Sequence, residues 1–463
     1  MQTAASSATS PAATGLVLGD PSRSLSEFAD AIGRSFHART QPLTDWLGNA
    51  CARGTFPYFR QNTTQPGALG NVLTWEGVQY SGINLASRDY LGLAGDPRVL
   101  EAAIAASRAF GIHSCGTETT GGGFSAASEL LARVCTLTQH PFGMLFASGW
   151  AAGYGSICGM VRPHDHVIID AHAHNSLQHG AGASTPNVRS FVHNNASSLE
   201  LQLLATRLAD PDAAVLVVTE SLFSADSDSP DLATLLRLCR QHGAAMLVSV
   251  SNDLGVLGPY GRGALDEQGV LEQVDFIVGS FAGAFASSGG FFTSTSQGPV
   301  LYARAFSGAY TFANFLSPPQ VGAISEAMQI AFSAEGEVLR QKALGNASIL
   351  RSEMVRLGTD VAGRLSPIVL PVVGDEEVAR AAYRNCLQGG LLLNCLEYPA
   401  CRQGAARLSM QVLPQHTEQQ LHAAARICVE AIDRARTLRA AFSPREWATG
   451  SAPFTRAASA STD

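Results

Sequence analysis

Short apolar runs alternate with amphipathic stretches through the middle of the chain. The apolar runs have the length and composition of buried strands, and the stretches between them have helical spacing. Strands are predicted at residues 143–147, 166–170, 214–220, 245–250 and 276–279. Helices are predicted at 97–109, 125–137, 198–208 and 232–241. This alternation predicts a doubly wound, mainly parallel sheet, in which ligands bind beyond the carboxyl ends of the strands.

The pattern changes after Pro318. A long helical stretch at 320–358 leads into a βαβ-like segment and a final helix at 418–436, which predicts a smaller C-terminal α+β domain. We divide the chain into a disordered tail, an N-terminal segment, a large domain, a small domain and a second tail. Their predicted bounds are 1–24, 25–80, 81–318, 319–445 and 446–463.

Composition narrows the class of protein. Of 463 residues, 46% are hydrophobic and only 15% are charged, which is enough apolar surface for a large core. A net charge of -7 without a basic run argues against a nucleic-acid partner. We expect no transmembrane segment and no secretory signal, and the nine cysteines form no CxxC pair. We therefore expect a cytoplasmic protein with reduced cysteines.

The 31 basic residues include a single lysine, Lys342. Chemistry that requires a lysine amine therefore has one candidate, because arginine stays protonated and is a poor nucleophile. Lys342 lies in the helical pattern LRQKALGNAS, well past the predicted strands of the large domain. This placement predicts a solvated helix lysine.

Seven motifs occur in a recognisable order within residues 45–435. They are ASRDYLGLAGDP (86–97), FASGWAAGYGS (146–156), DAHAHNSLQHGA (170–181), VVTESLFSADSD (217–228), LGVLGPYGRG (254–263), SSGGFF (287–292) and ARLSMQVLPQHT (406–417). Together they resemble the α-oxoamine synthases, which include serine palmitoyltransferase and 8-amino-7-oxononanoate synthase. The resemblance implies a fold-type I aminotransferase-like chain that binds pyridoxal phosphate (PLP) and an acyl thioester. It also implies a dimer with active sites at the subunit interface.

The resemblance also locates five departures. Gly283 stands where the family has the Schiff-base lysine, and Ser249 where it has the aspartate of the pyridine nitrogen. Asn252 replaces the histidine at the ring oxygen, and Ser409 replaces the arginine that binds the substrate carboxylate. Arg88 replaces the asparagine before D-Y-L-G. Without the lysine no internal aldimine can form, so PLP could bind only non-covalently.

Other family positions are retained. His174 matches the histidine that stacks on the cofactor ring, and Arg88 could bind an anionic substrate group. The candidate catalytic residues are therefore His174, as general base, and Arg88. The candidate cofactor-binding residues are Gly149, Trp150, His174, Ser224, Ser249, Asn252 and Ser280. Structural alternatives stay open for His174, as an inherited histidine, and for Ser224, as a turn cap.

Five histidines crowd residues 164–179, and an H-x-H spacing places two side chains on one face of a strand. No nearby cysteine or glutamate completes a ligand set, so we predict no metal ligands. Asp226 and Asp228 are interpreted as loop-capping residues.

Two functions follow from the resemblance. In the first, the protein is a PLP-independent acyltransferase that moves an acyl group from a CoA or carrier-protein thioester to a small nucleophile. In the second, it is a non-catalytic subunit that pairs with a lysine-bearing paralogue, as in heterodimeric serine palmitoyltransferase. The lysine-less subunit there has a segment A-L-A-S-x-G-G-F, close to AFASSGGF here. We place the acyltransferase, as a homodimer, first, because His174 and the phosphate-side turn have little reason to persist in a purely structural partner.

Overall fold

A computed structural model describes residues 23–441 of the chain. The predicted tail at 446–463 lies outside these residues, as does the predicted tail at 1–24 apart from its last two positions. The strands are β1 Gln61–Asn62, β2 Leu69–Leu73, β3 Gln79–Asn84, β4 Phe142–Phe146, β5 His166–Asp170, β6 Val188–Phe191, β7 Val215–Glu220, β8 Ala245–Ser249, β9 Phe276–Ser280, β10 Gly290–Ser294, β11 Val361–Ala362, β12 Ile368–Gly374, β13 Leu391–Leu392, β14 Asn394–Leu396 and β15 Ala406–Gln411. The α-helices are α1 Ser26–Ala29, α2 Phe36–Ala52, α3 Pro97–Phe110, α4 Ser125–Thr138, α5 Gly149–Met160, α6 Asn175–Ser184, α7 Ala196–Ala209, α8 Leu232–Gln241, α9 Ala264–Glu267, α10 Gln297–Phe306, α11 Gly308–Thr311, α12 Pro318–Ala331, α13 Ala334–Arg356, α14 Glu376–Gln388 and α15 Glu418–Ala441.

The large sheet has seven strands in the order β4-β10-β9-β8-β7-β5-β6. β10 is antiparallel to both of its neighbours, and the other neighbouring pairs are parallel. Every residue of β5 and β7 is buried, because helices cover both faces of the sheet. The predicted fold-type I architecture, with a mainly parallel large sheet, is confirmed.

The structure differs from the sequence-based prediction at one helix and at strand β10: the predicted helix is two helices, and β10 is an additional strand of the large sheet. The helical stretch predicted at 320–358 is two helices, α12 and α13, separated at Phe332–Ser333. The break occurs there because the Ser333 side chain accepts a hydrogen bond from Gly336 N and starts α13 afresh. The sequence pattern does not predict strand β10. Its five buried residues, GFFTS, begin with a glycine and end in Thr and Ser, so they do not form a continuous apolar run.

Two smaller sheets complete the fold. The C-terminal sheet has the order β11-β12-β15-β14, and α13, α14 and α15 pack around it. A second sheet, β1-β2-β3-β13, pairs β3 with β13 in parallel and so joins the N-terminal segment to the C-terminal part. The predicted domain bounds stay predictions. Between residues 23 and 441, none of the helices combines the length and the apolar character needed to cross a bilayer.

Candidate functional site

The candidate residues converge at the carboxyl edge of the large sheet. His174 follows β5, Glu220 ends β7, Ser249 ends β8 and Ser280 ends β9. Glu220 and Ser249 are direct neighbours in the pairing of β7 with β8. Parallel strands thus bring residues far apart in sequence to one edge, as the alternation of strands and helices predicts.

The turn between β4 and α5 forms one half of this site, which we call the phosphate half. Ser148 caps α5 by accepting a hydrogen bond from Ala151 N at 3.1 Å. A Cβ atom on Gly149 would lie 2.4 Å from Ser280 Oγ, so the Gly149 backbone and the Ser280 side chain are packed directly together. The first N–H groups of α5 make this end of the helix suited to an anion. Trp150 is 46% exposed and stacks on Tyr154.

The opposite half, around Gly283, is called the lysine half. The Gly283 carbonyl accepts a hydrogen bond from Tyr90 N at 3.0 Å. A Cβ atom on Gly283 would lie 3.0 Å from the Tyr90 ring and 3.3 Å from Ser251 O. Lys342 is exposed on α13, as predicted. The position that resembles the Schiff-base site therefore presents a backbone and an aromatic ring, with no amine.

The side chains of Ser249 and Asn252, near Gly283, are neutral. Ser249 Oγ lies 3.1 Å from Ser251 Oγ. Asn252 donates to Leu222 O at 3.0 Å and accepts from Arg88 Nη2 at 2.7 Å. The nearest carboxylate in sequence, Asp253, cannot substitute for an aspartate at Ser249, because it accepts from Ala264 N and Ser221 Oγ instead.

Arg88 is the cation of the site. Its side chain remains accessible to solvent although many protein atoms surround it. The neighbouring Tyr90 hydroxyl, followed by the Glu220 carboxyl, raises the pKa of Arg88, against the opposing effect of burial. The hydrogen bond to Asn252 fixes one end of the guanidinium. Arg88 and Asn252, both candidates from the sequence, are thus joined by a hydrogen bond that the sequence motifs did not indicate.

His174 is the N-cap of α6, and this role fixes its tautomer. Its Nδ1 accepts a hydrogen bond from Ser176 N at 3.2 Å, which assigns the ring proton to Nε2. Burial, followed by the positive charge of Arg88, lowers the pKa of His174. The ring is therefore a neutral hydrogen-bond donor through Nε2. Its single acceptor, Nδ1, is already occupied by the hydrogen bond from Ser176 N.

Glu220 holds the backbone of His174 in place through a hydrogen bond. Its Oε1 accepts from the backbone N of His174 at 2.6 Å. Burial raises the pKa of Glu220 to about 8, which outweighs the lowering effects of that hydrogen bond and of Arg88.

The other candidates lie apart from this cluster of groups. Ser224 is half-buried in the turn at 224–226, and Ser409 is buried on β15, where its Oγ accepts from Gln411 Nε2 at 2.8 Å. Neither brings a charge to the site, so no arginine-like anion grip exists at Ser409.

A second polar cluster, missed by the sequence analysis, follows the ends of β5, β6 and β7. We call it the His/Asp cluster: Asp170, His172, His193, Asp226 and Asp228. His193 Nδ1 lies 2.8 Å from Asp170 Oδ1, and its Nε2 lies 3.1 Å from Asp228 Oδ2. His172 Nδ1 lies 3.0 Å from Asp226 Oδ2, and the two imidazole rings stack 4.0 Å apart. The side chains of Asp226 and Asp228 thus contact histidines of this cluster, which the interpretation as loop-capping residues did not foresee.

His193 lies between two carboxylates of the cluster, those of Asp170 and Asp228. Burial lowers the pKa of His193, but Asp170 and Asp228 outweigh it and raise the pKa to about 10. Of the five histidines at 164–179, only His172 joins the cluster. The signal that could have found it is topological, because Asp170, His193 and Asp226 each follow the carboxyl end of a neighbouring strand.

Comparison with known proteins places this geometry in context. The profile of the family "Aminotransferase class I and II" matches residues 80–427. The chain is 28% identical to a serine palmitoyltransferase of Bacteroides thetaiotaomicron over 82% of this chain and 94% of that one. It is 31% identical to an 8-amino-7-oxononanoate synthase of Mycolicibacterium vanbaalenii over 76% of this chain and 90% of that one.

Solved structures resemble the fold as well. A lysine-to-alanine variant of the S. paucimobilis serine palmitoyltransferase, with a bound PLP–myriocin aldimine, superposes with a TM-score of 0.81 at 24% identity. The match covers 87% of this chain and all of that one.

The residues present do not fit covalently held PLP. Gly283 offers no amine, and Ser249 offers no carboxylate that would keep a pyridine nitrogen protonated. The phosphate half does fit an anion, because Gly149 leaves the backbone at the start of α5 open and Ser280 packs beside it.

Proposed function

The chain belongs to the aminotransferase class I and II family, and on that premise we propose that it is a non-catalytic α-oxoamine-synthase-type subunit. In this role it pairs with a lysine-bearing paralogue, which supplies the covalent PLP chemistry. One observation carries the proposal: the chain's sole lysine, Lys342, is exposed on α13, while the Schiff-base position is Gly283, packed against Tyr90. This choice reverses the order in which the sequence analysis placed the two functions.

The hydrogen bonding of His174 is the reason for the reversal. A general base must offer a lone pair to the proton that it removes. Nδ1 of His174 already accepts from Ser176 N, and Nε2 carries the proton. Acting as a base would require the ring to change tautomer and the first turn of α6 to lose its cap. The hydroxyls of Ser249 and Ser251 form a hydrogen bond with each other. Neither therefore contacts a base that could activate it as a nucleophile.

The site is better suited to binding than to proton transfer. Arg88, held by Asn252, offers a fixed cation, and His174 offers the Nε2 proton. The N-terminus of α5 adds backbone donors beside Ser280. These groups favour a small anion, such as a phosphate or carboxylate group, bound without a covalent bond. In a two-chain assembly such a ligand would stabilise this subunit while the bond-making steps occur in the paralogue.

A PLP-independent acyltransferase is the second candidate. It is favoured by the solvent accessibility of Arg88 and His174, because a purely structural subunit has no need of an exposed guanidinium beside an exposed imidazole. In that reaction an amine or hydroxyl nucleophile would attack the thioester carbonyl and the carbon–sulfur bond would break. The thiolate of CoA or of a carrier protein would leave and take up the proton that the nucleophile loses. Arg88 would bind an anionic group of the substrate and His174 would donate to its carbonyl oxygen.

Co-expression with a lysine-bearing paralogue from the same genome tests the proposal. The assay measures acyl-CoA consumption by the chain alone, complex formation by native mass spectrometry, and condensation by the complex. We expect no thioester turnover by the chain alone, a one-to-one complex, and product formation that disappears when the paralogue's lysine is replaced. Turnover by the chain alone that is lost in Arg88→Gln would instead favour the acyltransferase. A chain that neither turns over thioester nor binds the paralogue would contradict both.

A further inference from the structure

The His/Asp cluster has the arrangement of ligands that a divalent transition metal uses. His172, His193 and Asp226 each offer one ligand atom, and these atoms all lie within 4.8 Å of one another. Ligand atoms of a tetrahedral zinc ion with bonds of about 2 Å are about 3.3 Å apart, so closing the site requires the more distant ligand atoms to approach by up to about 1.5 Å. Asp228 Oδ2, 3.1 Å from His193 Nε2, is placed to become the fourth ligand.

The atoms opposite the ligand atoms are already held. Asp170, which is fully buried, binds His193 Nδ1 at 2.8 Å and so directs Nε2 into the cluster. Arg407 binds Asp226 Oδ1 at 3.0 Å, which turns Oδ2 toward His172. A carboxylate behind a coordinating imidazole is the outer-shell arrangement that orients ligands in metal sites.

Charge and access favour a divalent cation as well. Three carboxylates, Asp170, Asp226 and Asp228, face one guanidinium, that of Arg407, so the carboxylates are in excess. A divalent ion that displaces the Nε2 proton of His193 compensates this excess. The side chains of the four ligand residues are between 15% and 34% exposed, so an ion can reach them from solvent. Coordination by both imidazoles requires the stacked rings to tilt apart, and His172 is the more exposed of the two.

We propose that His172, His193 and Asp226, with Asp228 as fourth ligand, form a structural site for Zn²⁺ or a similar first-row divalent metal. The histidine nitrogens and carboxylate oxygens suit zinc, and four protein ligands leave no open position for catalysis. The ion would join the residues that follow β5, β6 and β7. Through Asp226 and Arg407 it would also tie the edge of the large sheet to β15.

Metal titration of the tag-free, chelator-treated full chain tests this site. We expect one Zn²⁺ per chain by calorimetry and elemental analysis, and a higher Tm in its presence. Co²⁺, whose visible absorption reports tetrahedral coordination, should bind in the same place. His172→Gln and Asp226→Asn should each weaken binding at least about tenfold.

His164→Gln is the matched control, because His164 belongs to the same histidine-rich segment but has an 81% exposed side chain. Its metal binding should equal that of the unmodified chain. Circular dichroism of each variant separates loss of a ligand from loss of the fold, and His172→Ser replaces His172→Gln if the latter unfolds. The proposal is overturned if no saturable one-to-one binding occurs, if either ligand variant binds as tightly as the unmodified chain, or if the control loses binding too.

Discussion

The two halves of the site differ in what constrains them. In the phosphate half, Gly149 and Ser280 are packed so closely that a Cβ atom on Gly149 would lie 2.4 Å from Ser280 Oγ. In the lysine half, a Cβ atom on Gly283 would lie 3.0 Å from the Tyr90 ring and 3.3 Å from Ser251 O, which is a tight contact but not an overlap. Packing therefore constrains the backbone of the phosphate half, whereas the lysine half consists of the neutral groups of Gly283, Ser249 and Asn252.

The strongest way to break this comparison is to return the missing amine. Because the phosphate half keeps its geometry, Gly283→Lys should take up about one equivalent of PLP, with visible absorption and a stable adduct after borohydride reduction. The measurement is intact-mass spectrometry of the reduced protein. Gly283→Met, of similar length but without an amine, should form no such adduct. If Gly283→Lys remains unmodified, the phosphate half is not competent and the contrast between the halves is wrong.

Glu220, which lies behind His174, gives the next largest effect through pH. Its pKa is raised from 4.5 in the unfolded chain to about 8, so the folded protein binds the extra proton between these values. Its stabilising contribution is complete below about pH 4.5 and is lost as the pH rises to about 8, on the order of 4 kcal/mol in total.

Glu220→Gln should remove this part of the pH dependence while keeping an oxygen that can accept from His174 N. Urea unfolding across this pH range measures it. Glu129→Gln, at an exposed position of α4, is the control and should follow the unmodified chain. A Glu220→Gln variant with the same pH slope as the unmodified chain would show that Glu220 is ionised in the folded state.

Alanine at the two glycines compares the halves directly. Gly149→Ala should lower the free energy of unfolding by about 1–3 kcal/mol, because the new methyl group overlaps Ser280. Gly283→Ala should lower it less, since the new methyl group would lie 3.0 Å from the Tyr90 ring and 3.3 Å from Ser251 O, without the overlap seen at Gly149. Gly182→Ala, in α6 with open space around it, should raise stability by about 0.5–1 kcal/mol. Equal losses at Gly149 and Gly283 in denaturant titrations would remove the distinction.

The smallest expected effect concerns the His174 cap. His174→Ala should destabilise the protein by about 1 kcal/mol, whereas His174→Asn, whose side chain can accept from Ser176 N, should stay close to the original stability. Thermal unfolding of the two variants provides the comparison. If both lose the same stability, the ring acts through packing rather than through its Nδ1 acceptor.

The sequence predicted the fold and the strand-end positions of several candidate residues. It could not predict which side chains form hydrogen bonds with one another. The alternation of strands and helices placed Ser249 and Ser280 at strand ends, and the motifs located Gly283 and Arg88. The Arg88–Asn252 hydrogen bond joins residues 164 positions apart, which no local spacing encodes.

The remaining misses have the same origin. The tautomer of His174 depends on a helix cap, and the His/Asp cluster depends on the neighbouring placement of β5, β6 and β7. The histidine-rich segment was visible in the sequence, but His193, which completes the cluster, lies in a different loop. The residues of one segment therefore could not indicate the whole cluster.

Borohydride trapping of the unmodified protein tests the central claim most directly. The protein is incubated with one equivalent of PLP, reduced, and examined by intact-mass and peptide mass spectrometry. The absence of a lysine at Gly283 predicts that the chain carries no stoichiometric phosphopyridoxyl group. A one-to-one adduct that maps to Lys342 and disappears in Lys342→Arg would contradict the claim that this chain has no Schiff-base chemistry of its own.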